Sequence, residues 1–132
     1  MEKKNKFEFN FRGRKVVFEI DQLATKSDKS IICRCGDTTV LTVLMVKETA
    51  KNRIASFFPL TIIIEEKFYA VGRIPASFNK REGKPSYDAI TAARLIDRSL
   101  RSFFPLTSNQ EVQIINYVLS VDRECDPGLV AA

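Results

Sequence analysis

Arg94, Arg98 and Arg101, spaced i, i+4 and i+7, are the side chains in this sequence best arranged to act together. On a helix turning about 100° per residue they form one stripe. A guanidinium is planar, keeps its charge at any working pH and grips a phosphate through two parallel N–H bonds, so a row of them suits a polyanion. The stretch before them, Ser77 to Ser86 (SFNKREGKPS), adds Lys80, Arg81 and Lys84, with Phe78 as a ring on which a base could stack. The competing reading is a solvated, ion-paired helix face, because Asp97 lies four residues before Arg101 and three after Arg94. Spacing leaves both readings open.

Catalytic groups are harder to find. The chain has no histidine, which removes the usual general base and every Ser-His or Cys-His nucleophile pair. Glu65 and Glu66 are adjacent, and a strand would send them to opposite faces. Asp37 fits a turn, while Asp122 and Asp126 fit a loop, so no spacing gathers carboxylates around Mg2+. Neither G-x-x-x-x-G-K-[ST] nor G-x-G-x-x-G occurs. The three cysteines, Cys33, Cys35 and Cys125, are too few for a metal site without histidine, and structural thiols are favoured over a redox or metal role. These residues offer a binding surface and no catalytic set.

The elements that must carry the surface follow from periodicity. Phe7–Phe11 and Val16–Ile20 alternate around Gly13 and predict a hairpin. Ile31–Cys35 and Thr38–Val46 predict a second, closed by Gly36-Asp37 in a type II′ turn. Phe57–Ile64 is a further strand candidate, with Pro59 near its start or at a sheet edge. Ser86 caps a helix that runs to about Phe104, with Asp88 in its first turn and Pro105 beyond its end. Ile90, Ala93, Ile96, Leu100 and Phe103 make its apolar stripe. Glu111–Val121 returns to strand character, and Asp126-Pro127-Gly128 reads as the first turn of another helix. Antiparallel strands, a helix and a final strand define an α+β class.

With 132 residues, 45% of them apolar, the chain has the length and core of one domain. A net charge of +5 favours a polyanionic partner. No apolar run reaches the ~18–20 residues of a membrane span. The expectation is a soluble cytoplasmic protein.

Five blocks stand in order along the chain, with EEKFYAVGRIP and RLIDRSLR the specific ones within them: Gly36-Asp37-Thr38-Thr39-Val40-Leu41, FFPLTIIIEEKFYAVGRIP (Phe57 to Pro75), KREGKPS, ARLIDRSLRSFFP (Ala93 to Pro105) and EVQIINYVLSVDRECDP. In this order they closely resemble the first ribonuclease PH-like core of the bacterial polynucleotide phosphorylase family. The resemblance implies a ribonuclease PH-like fold (ribosomal protein S5 domain 2-like), a β-sheet with a packed helix. Residues 1–132 would be the N-terminal portion of the first such domain, incomplete at the C-terminus, with apolar strand faces left open.

The activity implied is 3′→5′ phosphorolysis. Inorganic phosphate, as co-substrate, releases nucleoside diphosphates from single-stranded RNA in mRNA degradation and RNA processing. The family enzyme is a homotrimer with partners in RNA degradation, and its Mg2+ ligands and phosphate-binding serines lie in a second core outside this segment. No catalytic residue is therefore expected here, and residues 1–132 alone should be inactive. The resemblance also aligns Phe78, Asn79, Lys80 and Arg81 with an FFRR loop lining the RNA channel; Asn79 lacks one stacking ring, and Lys80 keeps the charge without the fork. The expected RNA-binding set is Phe78, Asn79, Lys80, Arg81, Lys84, Arg94, Arg98 and Arg101. Two alternatives stand beside it: a non-catalytic RNA-binding ring subunit of an exosome-like assembly, and a basic structural or ribosome-associated protein.

Overall fold

A computed structural model of the chain describes residues 5–48, 57–76, 82–105 and 110–132. Six strands form one sheet: β1 (Asn5–Phe11), β2 (Arg14–Ile20), β3 (Lys29–Cys35), β4 (Thr38–Glu48), β5 (Leu60–Glu66) and β6 (Gln110–Ser120). Helix α1 (Tyr87–Arg101) lies between β5 and β6 in the chain, and a short α2 (Pro127–Ala131) follows β6.

The sheet order is β1-β2-β3-β4-β6-β5. Both expected hairpins form. Arg12 and Gly13 carry φ of 48° and 80° between β1 and β2, the left-handed pair of a type I′ turn. Gly36, at φ 60°, opens the turn that pairs Cys35 with Thr38. Added side-chain bulk there would also collide with Asp122, since a Cβ on Gly36 would lie 2.9 Å from its Oδ2.

The last strand departs from a simple antiparallel succession. β6 enters between β4 and β5, antiparallel to the first and parallel to the second. Parallel neighbours need a crossover, and α1 supplies it. Pro59 stands just before β5 on the sheet's edge, where its missing N–H breaks no ladder.

Alternation sends Val40 of β4, Ile64 of β5 and Val118 of β6 to the face on which Ala89, Ala93 and Ile96 of α1 pack. A second cluster joins Phe58, Val112 and Ile114, with the Phe58 and Phe104 rings stacked at 4.7 Å. This stack explains the shorter helix. α1 stops at Arg101 instead of Phe104, because the residue before Pro105 is pushed out of helical geometry and Phe104 turns to Phe58. Phe103, expected on the apolar stripe, is 81% exposed, and Ile90 is also at the surface; Ala89 takes the inward place.

The same face is open at the other edge. Phe7, Phe9 and Phe11 of β1 are each about half exposed, as expected for uncovered strands. Among the described residues no helix is long and apolar enough to cross a membrane.

Candidate nucleic-acid interface

Because β5 and β6 run parallel, their carboxyl ends lie together, and α1 begins beside them. Ligands of open α/β arrangements gather at such ends, where strand termini and a helix N-terminus converge. Here they border a hollow of about 540 Å3, lined by Glu66, Lys67, Glu82, Lys84 and Ser86 and floored by Val118 and Val121.

The rim is built by local sequence. Ser86, in extended conformation, caps α1 by accepting the Ala89 amide at 3.0 Å. The same hydroxyl donates to Glu66 at 2.6 Å, tying the helix start to the end of β5. Beyond β5 the chain makes a 3-10 turn (Phe68–Val71), closed by Gly72 at φ 66°. Glu82 accepts the Phe68 amide and lies 3.7 Å from Lys67, whose closer partner is Glu65 at 2.7 Å. The hydrogen bond to Glu65 raises the Lys67 pKa and keeps the ammonium charged.

The expected RNA-binding residues divide. Phe78, Asn79, Lys80 and Arg81 lie outside the described residues. Glu82 and Ala76 flank them, and the Glu82 contacts fix that flank beside the hollow. Lys84 is exposed on the rim. Arg94 borders a neighbouring hollow of about 340 Å3 along β5, together with Asp97 and Pro85. Arg98 is exposed.

Arg101 is placed differently. One guanidinium nitrogen donates to the Phe58 carbonyl at 2.8 Å, and the other reaches both Asp97 oxygens at 2.8 and 3.1 Å. Its fork fastens the end of α1 to the segment before β5. The i, i+4 pairing with Asp97 was legible in the sequence; the Phe58 carbonyl, 43 residues away, was not.

Glu66, Lys67, Glu82 and Ser86 were not singled out from sequence as site residues. Glu66 and Ser86 carry local signals, a strand end and a helix cap, but nothing local joins them. The hollow sets Lys67 and Lys84 beside the carboxylates Glu66 and Glu82, so the cations it leaves exposed to an anion nearby are Lys84, Arg94 and Arg98. It offers no nucleophile–base pair, and no group of three or more Cys, Asp or Glu that could hold a metal occurs among the described residues.

The family model described as "3′ exoribonuclease family, domain 1" matches residues 12–132. The chain belongs to that family. Family relatives named polyribonucleotide nucleotidyltransferase include one from Brevibacillus brevis, 45% identical over 125 residues, covering 95% of this chain and 17% of the relative. Another, from Enterococcus faecalis, is 45% identical over 131 residues, covering 99% of this chain and 18% of its own length. The chain thus spans less than a fifth of these curated relatives.

Solved structures agree on the ribonuclease PH fold. Rice (Oryza sativa) Rrp46 superposes with a TM-score of 0.60 at 16% identity, over 97% of this chain and 51% of that one. A chain of an archaeal exosome core gives 0.58 at 15% identity, over 86% and 43%. At these identities the likeness concerns fold alone.

Proposed function

We propose that this segment belongs to a phosphorolytic 3′→5′ exoribonuclease and guides single-stranded RNA while the chemistry occurs elsewhere. The observation that carries this is the 45% identity to enzymes named polyribonucleotide nucleotidyltransferase along nearly the whole chain. The hollow at the start of α1, where Lys67 and Lys84 stand beside Glu66 and Glu82, and the exposed Lys84 on its rim support the guiding role. Inorganic phosphate is the co-substrate in this reading, and the working enzyme is a cytoplasmic homotrimer. Residues 1–132 contribute a portion of its first ribonuclease PH-like domain.

Mg2+ is assigned to the enzyme and not to this segment. The described residues contain no fitting carboxylate group, so no step runs through the ion here. What the segment supplies is charge and shape: Lys84, Arg94 and Arg98 attract the backbone, and the Ser86-capped amides favour anions.

A non-catalytic ring subunit of an exosome-like assembly is the second reading. It draws on the fold of the archaeal exosome core chain, at 15% identity, and is therefore weaker than the first. Poly(A) with phosphate and Mg2+ separates catalysis from guidance. The longer polypeptide carrying this segment should release nucleoside diphosphate, and residues 1–132 alone should release none. Release by the isolated segment would overturn the division of labour, and failure of the longer polypeptide would overturn the enzyme assignment.

A further inference from the structure

Cys35 ends β3 and Cys125 lies in the turn before α2, 90 residues apart, yet their Sγ atoms are 3.1 Å from each other. The approach is held from several sides. Thr38, fully buried, donates to the Cys125 carbonyl at 2.8 Å and accepts the Asp122 amide at 2.8 Å. Arg14 donates to the Glu124 carbonyl at 2.6 Å and to the Cys125 sulfur at 2.9 Å. Arg14 therefore sets a charged donor against the Cys125 sulfur, where it would stabilise negative charge developing there during a reaction. The hydrogen bond to Cys125 raises the Cys35 pKa, so Cys35 keeps its proton while facing that sulfur. Cys33 is kept apart: burial pushes its thiol up to about 11.

We propose that Cys35 and Cys125 form a reversible dithiol–disulfide site, with Arg14 activating Cys125 and hydrogen peroxide as the oxidant. This inference does not depend on the RNA-guiding role. Cys125 gives its proton to solvent, its thiolate attacks one oxygen of hydrogen peroxide, the O–O bond breaks, and a sulfenic acid forms as hydroxide leaves. Hydroxide takes the Cys35 proton and becomes water. The Cys35 thiolate attacks the Cys125 sulfur, the S–O bond breaks, and the departing hydroxide is protonated from solvent. Two thiols and one peroxide become one disulfide and two waters.

The sulfurs must close by only about 1 Å to reach a bonded separation near 2.05 Å. The bond would staple the β3–β4 turn to the segment entering α2. Two cysteines without histidine make a poor metal site, and no third ligand of the Cys, Asp or Glu type joins them among the described residues.

The test exposes the 132-residue chain to hydrogen peroxide at neutral pH. It is then denatured, its remaining thiols are alkylated, and peptides are mapped by mass spectrometry before and after dithiothreitol. The expected product is a monomer carrying a Cys35–Cys125 crosslink, about 2 Da lighter than the dithiol before alkylation, with Cys33 alkylated and the crosslink lost on reduction. A Cys35→Ser variant should instead leave Cys125 as a sulfenic acid that dimedone traps. Arg14→Gln should slow crosslinking several-fold at neutral pH. Alkylation of both Cys35 and Cys125 after oxidation, bridges to Cys33, or bridges only between chains would overturn the site. An unchanged rate in Arg14→Gln would overturn the activating role.

Discussion

Ser86 joins two elements through one oxygen: it accepts the Ala89 amide at 3.0 Å and donates to the Glu66 carboxylate at 2.6 Å. The cap of α1 and the end of β5 are thereby one unit, and the hollow proposed to meet RNA lies between them.

Ser86→Ala removes both bonds. Loss of an N-cap costs about 1 kcal/mol, and freeing Glu66 adds a smaller amount. Chemical denaturation should show the midpoint falling with an unchanged slope against denaturant. Ser86→Asp, which keeps a capping oxygen but faces Glu66 with like charge, should recover only part of the loss.

Arg101 and Arg94 should respond differently to alanine. Arg101 holds the Phe58 carbonyl and Asp97, so Arg101→Ala should lower stability by about 1 kcal/mol. Its effect on RNA binding at matched folded fraction should be small. Arg94→Ala should leave stability within about 0.5 kcal/mol and weaken RNA binding. Paired denaturation and binding titrations check both outcomes; a reversed pattern would return Arg101 to the RNA-facing stripe.

Thr38→Val keeps the shape of a fully buried side chain but orphans the Cys125 carbonyl and the Asp122 amide. Each unsatisfied buried group costs about 1–3 kcal/mol, so the loss should exceed that of Ser86→Ala. Thermal unfolding compared across the two variants checks the ranking.

Much of the local architecture was readable because its causes are local. Gly36 opens its turn, Asp126 caps α2 through the Gly128 and Leu129 amides, and Ser86 starts α1, all by short-range sterics and hydrogen bonding. The β6 position was not readable. Its strand pattern sets the faces, while the parallel partner is fixed by where α1 returns the chain. For the same reason the inward turn of Arg101 and the meeting of Cys35 with Cys125 depend on contacts between residues far apart in sequence. Phe103 misled the periodic reading because Pro105 ends helical geometry before the stripe does.

Acid should expose the Asp21 contribution. Hydrogen bonds from Lys29 and then from the Ser30 amide lower its pKa, so the folded state binds its proton less readily than the unfolded chain. A depressed folded pKa gives stability that is present above the unfolded value and lost as pH falls through the folded one. Stability measured by denaturant from neutral pH down through the carboxylate range should decline less steeply in Asp21→Asn. An identical decline would remove Asp21 from the acid response.

The most direct test of RNA guidance is the salt dependence of single-stranded RNA binding by residues 1–132. Each phosphate contact contributes about −0.7 to the slope of log affinity against log salt. Replacing Lys80 and Arg81 together by alanine should flatten that slope by roughly one to two contacts' worth. A slope that does not change, or a chain that does not bind single-stranded RNA at low salt, would contradict the account.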